Sequence, residues 1–187
     1  MSRIDLGAKP FLLPMPVLII GTYDENGMPN AMNAAWGAVT DFQEITISLS
    51  EHKTTDNLAI TGAFTVSMGT EDTVVACDYV GVESANHVPD KFKKAGFHAT
   101  KSEKVNAPLI DELPLALECR MKSYADDILV GEIVNVTVDE SVLTDGKVDL
   151  KKLKPIAYDP LNGSYVAMGD VVGKVFFDGM QLKGGTL

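Results

Sequence analysis

The segment Glu44-Ile45-Thr46-Ile47-Ser48-Leu49-Ser50 alternates apolar and polar residues without a break. Successive side chains of a strand point to opposite faces, so Ile45, Ile47 and Leu49 share one face and Thr46, Ser48 and Ser50 the other. The same period of two returns at Phe64, Val66 and Met68, and at Leu115, Leu117, Cys119 and Met121 opposite Ala116, Glu118, Arg120 and Lys122. Val134, Val136 and Val138 continue it inside the β-branched run 128–138. Residues 17–23 and 30–39 flank Asp24-Glu25-Asn26-Gly27, where Asn-Gly supplies the positive φ angles of a tight hairpin, so the two runs are expected to pair antiparallel. In the tail, residues 165–168 and 171–177 have strand character on either side of Gly169-Asp170. So many short strands leave unpaired edges unless the sheet closes on itself or packs as a sandwich.

Helices are short and few. Thr54 or Thr55 can cap a segment running to about Thr61, with Gly62 as its stop. Thr70-Glu71-Asp72 puts a cap and two acids ahead of 73–79, and Gly96 closes 90–95. The strand–helix alternation of a doubly wound sheet is missing, as are the Gly-x-Gly-x-x-Gly turn and the P-loop. The expected fold is mainly β, a closed Greek-key barrel with a few short peripheral helices, forming a single domain over 1–187.

The net charge of −10 repels phosphate backbones and anionic lipid, which argues against nucleic acid or a membrane surface as partner. The longest apolar run, Val17 to Ile20 behind Pro14-Met15-Pro16, is far short of the roughly 20 residues of a membrane span. Met1-Ser2-Arg3-Ile4-Asp5 has no apolar signal segment, and the expected location is the cytoplasm. Cys77 and Cys119 match no metal-ligand spacing and are expected as small buried hydrophobes, with no metal site.

Two segments carry candidate chemistry. In Asn30-Ala31-Met32-Asn33-Ala34-Ala35-Trp36-Gly37, small side chains let a planar ligand approach the backbone and Trp36 offers a broad apolar face; the alternative is a core or interface tryptophan. In Ser48 to Asn57, a polar strand face runs into His52 and Lys53 directly before a helix start. Hydroxyls, a cation and free helix N–H groups are what a phosphate monoester needs. Thr54-x-x-Asn57 also fits a plain helix cap.

Together these segments resemble the flavin reductase-like, flavoredoxin-type proteins of the FMN-binding split barrel. The resemblance runs from Pro14-Met15-Pro16-Val17-Leu18-Ile19-Ile20-Gly21-Thr22 through Asn33-Ala34-Ala35-Trp36 and His52-Lys53-Thr54-x-x-Asn57 to Cys77-Asp78-Tyr79-Val80-Gly81 and Asp90-Lys91-Phe92. It continues through Ala107-Pro108-Leu109-Ile110, Leu117-Glu118-Cys119 and Val130-Gly131-Glu132-Ile133-Val134. It implies a homodimer binding FMN without a covalent link, with the site near the subunit boundary. Asn33, Ala34, Ala35 and Trp36 would line the isoalloxazine ring, Ser48 and Ser50 would reach the ribityl chain or phosphate, and His52, Lys53, Thr54 and Asn57 would surround the phosphate. Asp78, Tyr79 and Lys91 fall in a stretch that approaches the flavin in relatives, although a solvated helix face also explains Lys91.

The chain departs from the family where many reductases carry Gly-Asp-His with the histidine toward the nicotinamide; here the residues are Ala125-Asp126-Asp127. Two carboxylates there oppose the phosphates of NAD(P)H. His87 and His98 are expected in surface or packing roles. The resemblance thus implies an FMN-dependent oxidoreductase or electron carrier fed by a small molecule or another protein. The alternatives are a flavin-binding store, sensor or delivery module without turnover, or a barrel that binds nothing.

Overall fold

The computed structural model describes residues 1–183. Along them run β1 (Met15–Pro16), β2 (Leu18–Tyr23), β3 (Pro29–Ala34), β4 (Gly37–Asp41), β5 (Glu44–Ser48), α1 (Lys53–Thr61) and β6 (Ala63–Met68). Then come α2 (Val74–Val82), α3 (Lys91–Lys94), β7 (Ala99–Lys101), β8 (Pro108–Ile110), β9 (Leu115–Ala125) and β10 (Ile128–Val138). The chain continues through β11 (Leu143–Thr144), β12 (Lys147–Val148), α4 (Leu150–Leu153), β13 (Ile156–Asp159) and β14 (Ser164–Ala167).

The fold is mainly β. Seven antiparallel strands form one sheet in the order β3-β2-β6-β9-β10-β5-β4. Asp24 anchors the β2–β3 hairpin, its Oδ1 accepting from the N–H groups of Asn26 and Met28, and Gly27 takes φ +76°. The run 30–39 does not stay one strand: it breaks at Ala35-Trp36 into β3 and β4, which lie at opposite edges of the sheet. A two-residue link spans only about 10 Å between flanking Cα atoms, so the edges are drawn together at that end and the sheet must curl. Gly37 permits the approach, since a Cβ there would lie 2.9 Å from Leu18 and 3.1 Å from Ile47.

The curl separates two cores. Leu18, Ile20, Ile45, Ile47, Leu58, Phe64, Val66 and Leu129 fill its inside. Val17, Ile19, Cys77, Val80, Phe92 and Phe97 pack α2 and α3 against its outside. Strand β2 is therefore buried on both faces, the reason its apolar residues run continuously instead of alternating. Among the described residues no helix is long and apolar enough to cross a membrane, and no group of three metal-ligating side chains gathers. Both cysteines are buried and free.

Three expectations from the sequence are corrected. Glu118, expected on a wet face, is 1% exposed and accepts hydrogen bonds from Ser102 Oγ, Asn135 Nδ2 at 2.6 Å and Thr137 Oγ1 at 2.7 Å. Burial pushes its pKa up, but the donors outweigh that and hold it below the ordinary value. Donors on neighbouring segments override the polar signal in the strand pattern, because a satisfied carboxylate can be buried. Next, residues 171–177 form no strand: they pass through irregular chain and a turn, with Val172 and Phe176 exposed and Phe176 at φ +60°. β-branched residues make a strand only where a partner offers a ladder. Finally, the N-cap of α1 is His52; Thr55 sits a turn later, its Oγ1 accepting from the His52 N–H at 2.8 Å. Gly62 ends this helix as expected, at φ +62° with its N–H on the Leu58 carbonyl.

Candidate functional site

The break between β3 and β4 opens a cavity of about 400 Å³. Asn33, Ala34, Ala35 and Trp36 line one side, and Ser48, Ser50 and His52 the other. Residues 34–36 and 48–50 meet because the Ser48 N–H donates to the Trp36 carbonyl at 2.7 Å, joining the sheet edge to the strand that leads into α1. Trp36 is 53% exposed, so its ring borders the opening and is no core residue. The remaining wall comes from Asp78, Gly81 and Val82 of α2 and from Tyr158 and Tyr165 of β13 and β14.

A second, smaller cavity of about 170 Å³ adjoins the first, sharing Met32, Asn33, His52, Gly81 and Val82. Lys53 and Thr54 line it at the start of α1, Asn30 from β3, and Lys91 and Glu83 from the α2–α3 side. The first N–H groups of a helix have no intrahelical acceptor, so the mouth of α1 favours an anion. His52 Nδ1 lies 2.7 Å from the Ser50 carbonyl. A carbonyl can only accept, so Nδ1 carries a proton and, in the neutral ring, Nε2 is left as an acceptor.

Lys91 is 4% exposed, which replaces the solvated-face alternative. Its Nζ donates to the carbonyls of Val80 at 3.0 Å and Glu83 at 2.8 Å, closing the C-terminal end of α2 and leaving one of its three N–H groups uncommitted. Burial pushes its pKa down to about 8, against the pull of Glu83, so it remains a cation at neutral pH. Asn30 is also buried. Its Nδ2 donates to Thr54 Oγ1 at 3.0 Å while its Oδ1 has no partner. A buried acceptor without a donor is costly, and a ligand donor in this cavity would relieve it.

On the other wall, Tyr165 donates to Asp78 Oδ1 at 2.8 Å and accepts from Asn33 Nδ2 at 3.3 Å. Burial, together with the Asp78 carboxylate, pushes the Tyr165 hydroxyl up to about 12, so it stays protonated. Asn33 also donates to the Cys77 carbonyl at 3.0 Å, tying β3 to α2. Gly81 permits that contact, since a Cβ there would stand 3.0 Å from the Asn33 Cβ.

Nine of the ten residues singled out in the sequence therefore line one or both cavities. Asn57 does not. It is fully buried, and its Nδ2 donates to Thr22 Oγ1 at 3.0 Å, which ties α1 to β2. Asp78 and Lys91 reach the cavities, whereas Tyr79 packs with the outer core. Asp126 and Asp127 form the β9–β10 turn at φ +52° and +60°; the Asp127 carbonyl accepts from the Leu49 N–H, which places the turn beside the cavity wall but not in it. His87 lies in a turn, and His98 pairs with Glu112 on the surface. The sequence reading missed Tyr158 and Tyr165. Tyr165 had only the strand character of 165–168 as a signal and Tyr158 none, both more than a hundred residues downstream of Asn33, and contact order of that kind is invisible to periodicity.

Residues 11–159 match the model of the flavin reductase like domain. The structure superimposes on flavoredoxin of Desulfovibrio vulgaris (Miyazaki F) with a TM-score of 0.91 and 34% identity, covering 95% of this chain and all of that one. Flavoredoxin from Methanosarcina acetivorans gives a TM-score of 0.87 and 28% identity over 97% of this chain and all of its own. The FMN-binding domain of a flavin reductases-like enzyme from Shewanella baltica shares the fold at a TM-score of 0.77 and 19% identity, over 85% of this chain and 88% of that one. With the family model spanning most of its length and the fold shared throughout, the chain belongs to the flavin reductase-like family.

Proposed function

We propose that this protein is an FMN-dependent oxidoreductase or electron carrier, holding the flavin ring in the larger cavity and its phosphate in the smaller one. One observation carries the proposal: an open cavity walled by Trp36 and the small residues 33–35 adjoins a narrow one where a helix start, Lys53 and Lys91 gather cations in a chain of net charge −10. The residues present fit the group. The combined space suits a ligand of that size, and of the buried polar atoms without a partner, Asn30 Oδ1 is on a residue that lines the cavity, where a ribityl hydroxyl would be a suitable donor.

Bound FMN supplies hydride and electron transfer at its ring. The protein's part is placement. Ala34 and Ala35 would admit the ring against the backbone, and Trp36 at the mouth of the cavity would border it with an apolar face. Ser48 and Ser50 would offer hydroxyls from the wall of the larger cavity, and His52, Lys53, Thr54 and Lys91 would receive the phosphate. Tyr165, kept protonated by burial and by its bond to Asp78, stiffens the far wall.

The reading extends to a single-domain protomer whose curled sheet closes as a split barrel, to a homodimer that covers the exposed edge at Trp36, and to a place in the cytoplasm. The acidic turn Asp126-Asp127 beside the cavity favours a protein or small-molecule donor other than NAD(P)H. Purified protein is expected to be yellow and to release FMN on denaturation. Anaerobic addition of NADH or NADPH should bleach it slowly at most, while a competent donor should bleach it fast. Colourless protein that fails to quench added FMN fluorescence would sink the reading, and flavin that no donor reduces would favour a storage or delivery module.

Lys91 adds a pH signature. Protonated below about pH 8, it attracts the phosphate; above that pH the free protein must take up a proton to bind, so FMN affinity should fall by up to tenfold per pH unit. In Lys91→Met the affinity should be lower at neutral pH and flat between pH 7 and 9. A wild-type profile just as flat would remove Lys91 from the phosphate's surroundings.

A further inference from the structure

We propose that Glu25 restricts the smaller cavity to a terminal phosphomonoester and turns away flavins whose phosphate continues into a pyrophosphate. The proposal rests on the phosphate placement given above and concerns a residue that lines neither cavity.

Glu25 sits on the tip of the β2–β3 hairpin. That tip is held in shape, because the Asp24 N–H donates to the Met28 carbonyl at 3.0 Å and the Gly27 N–H to the Asp24 carbonyl at 3.0 Å, in addition to the two bonds accepted by the Asp24 side chain. From it the Glu25 Oε2 lies 3.6 Å from Lys53 Nζ. The Lys53 side chain is 25% exposed and that of Glu25 56%, so the carboxylate is the more exposed member of the pair.

An anion inside the cavity meets the inner side of Lys53 and the buried Lys91. Glu83 lines the same cavity; its carboxylate favours the charged form of Lys91 and its backbone carbonyl accepts from the lysine. One phosphate thus faces two cations, Lys53 and Lys91, with the Glu83 carboxylate as an opposing charge already on the wall. The space of about 170 Å³ is well below that of a site for a whole nucleotide, so a second phosphate cannot stay inside it, and the path we assign to it runs past Lys53 toward the hairpin tip. There it meets Glu25, a like charge that Lys53 alone cannot offset for two phosphates at once. Asn30 on the same wall has an unpartnered Oδ1, and a hydroxyl next to the phosphate is a donor that would complete it. A polyol ending in a phosphomonoester meets all three conditions, and a polyol ending in a dinucleotide pyrophosphate meets only the last.

The test is a fluorescence titration of flavin-free protein with riboflavin, FMN and FAD, for the wild type and for Glu25→Gln, at low salt. The wild type should prefer FMN to FAD. Glu25→Gln should gain at least tenfold in FAD affinity, less than threefold in FMN affinity and nothing for riboflavin. Equal gains for FMN and FAD, or no gain for FAD, would overturn the proposal. Should the wild type bind FMN no more tightly than riboflavin, the phosphate placement itself is wrong and the role of Glu25 falls with it, a result distinct from the first. A second measurement needs no variant: the wild-type preference for FMN should narrow from 20 mM to 1 M salt, because an exposed carboxylate is screened. A preference independent of salt counts against Glu25.

Discussion

Gly131→Ala is expected to destabilise the protein by about 1–3 kcal/mol, the usual cost of forcing a methyl group into a filled core. Gly131 lies on β10 opposite the fully buried Phe64, and a Cβ at this position would stand 2.4 Å from the Phe64 Cζ and 2.9 Å from its Cε1. The ring has no free volume to enter, since Ile45, Leu129 and the other inner-core residues surround it. Either Phe64 leaves its rotamer or β10 shifts away from the ring that β6 presents to it. The control is Gly169→Ala, where a Cβ meets nothing within 4 Å and the backbone has no positive φ. Urea denaturation monitored by far-ultraviolet circular dichroism should show a lower midpoint for the first variant and an unchanged one for the second. Equal midpoints would mean the inner core is looser than its geometry indicates. The effect extends to the site, because Ile45 of β5 packs in the same core and β5 leads directly into Ser48 and Ser50.

Lys53→Ala is expected to weaken FMN binding by about 1.5–3 kcal/mol, roughly 10- to 150-fold in dissociation constant, as for loss of a charge-assisted hydrogen bond. Folding should be little affected. The pair that Lys53 makes with Glu25 is 3.6 Å long and half-exposed on the carboxylate side, and such pairs contribute little to stability. Isothermal titration of flavin-free protein reads the first quantity and thermal unfolding the second. Riboflavin separates the contributions, since it lacks the phosphate and should bind both proteins alike. An unchanged FMN constant would take Lys53 out of the site.

The alternation at 44–50 declared its strand and its buried face, and Asn26-Gly27 declared its hairpin, because both signals are local: a pleat has period two, and a turn with positive φ wants particular residues. The cationic step at His52-Lys53 was legible for the same reason, as an anomaly in an acidic chain just where a helix begins. Legibility failed where the answer belonged to another segment. Residues 171–177 have strand composition and no partner strand, while Glu118 has the charge of a surface residue and three donors waiting inside.

What the chain determined by itself, then, was which residues form strands, which turn is tight, and which short segment can receive an anion. Only the tertiary structure decided that β3 and β4 part at Ala35-Trp36, that Tyr158 and Tyr165 return from the far end to wall the cavity, and that Lys91 is buried beside it. The physical reason is one of range. Backbone geometry and side-chain periodicity act over a few residues, but the partner of each strand edge, and the donors that make a buried charge tolerable, are fixed by contacts between segments far apart in sequence.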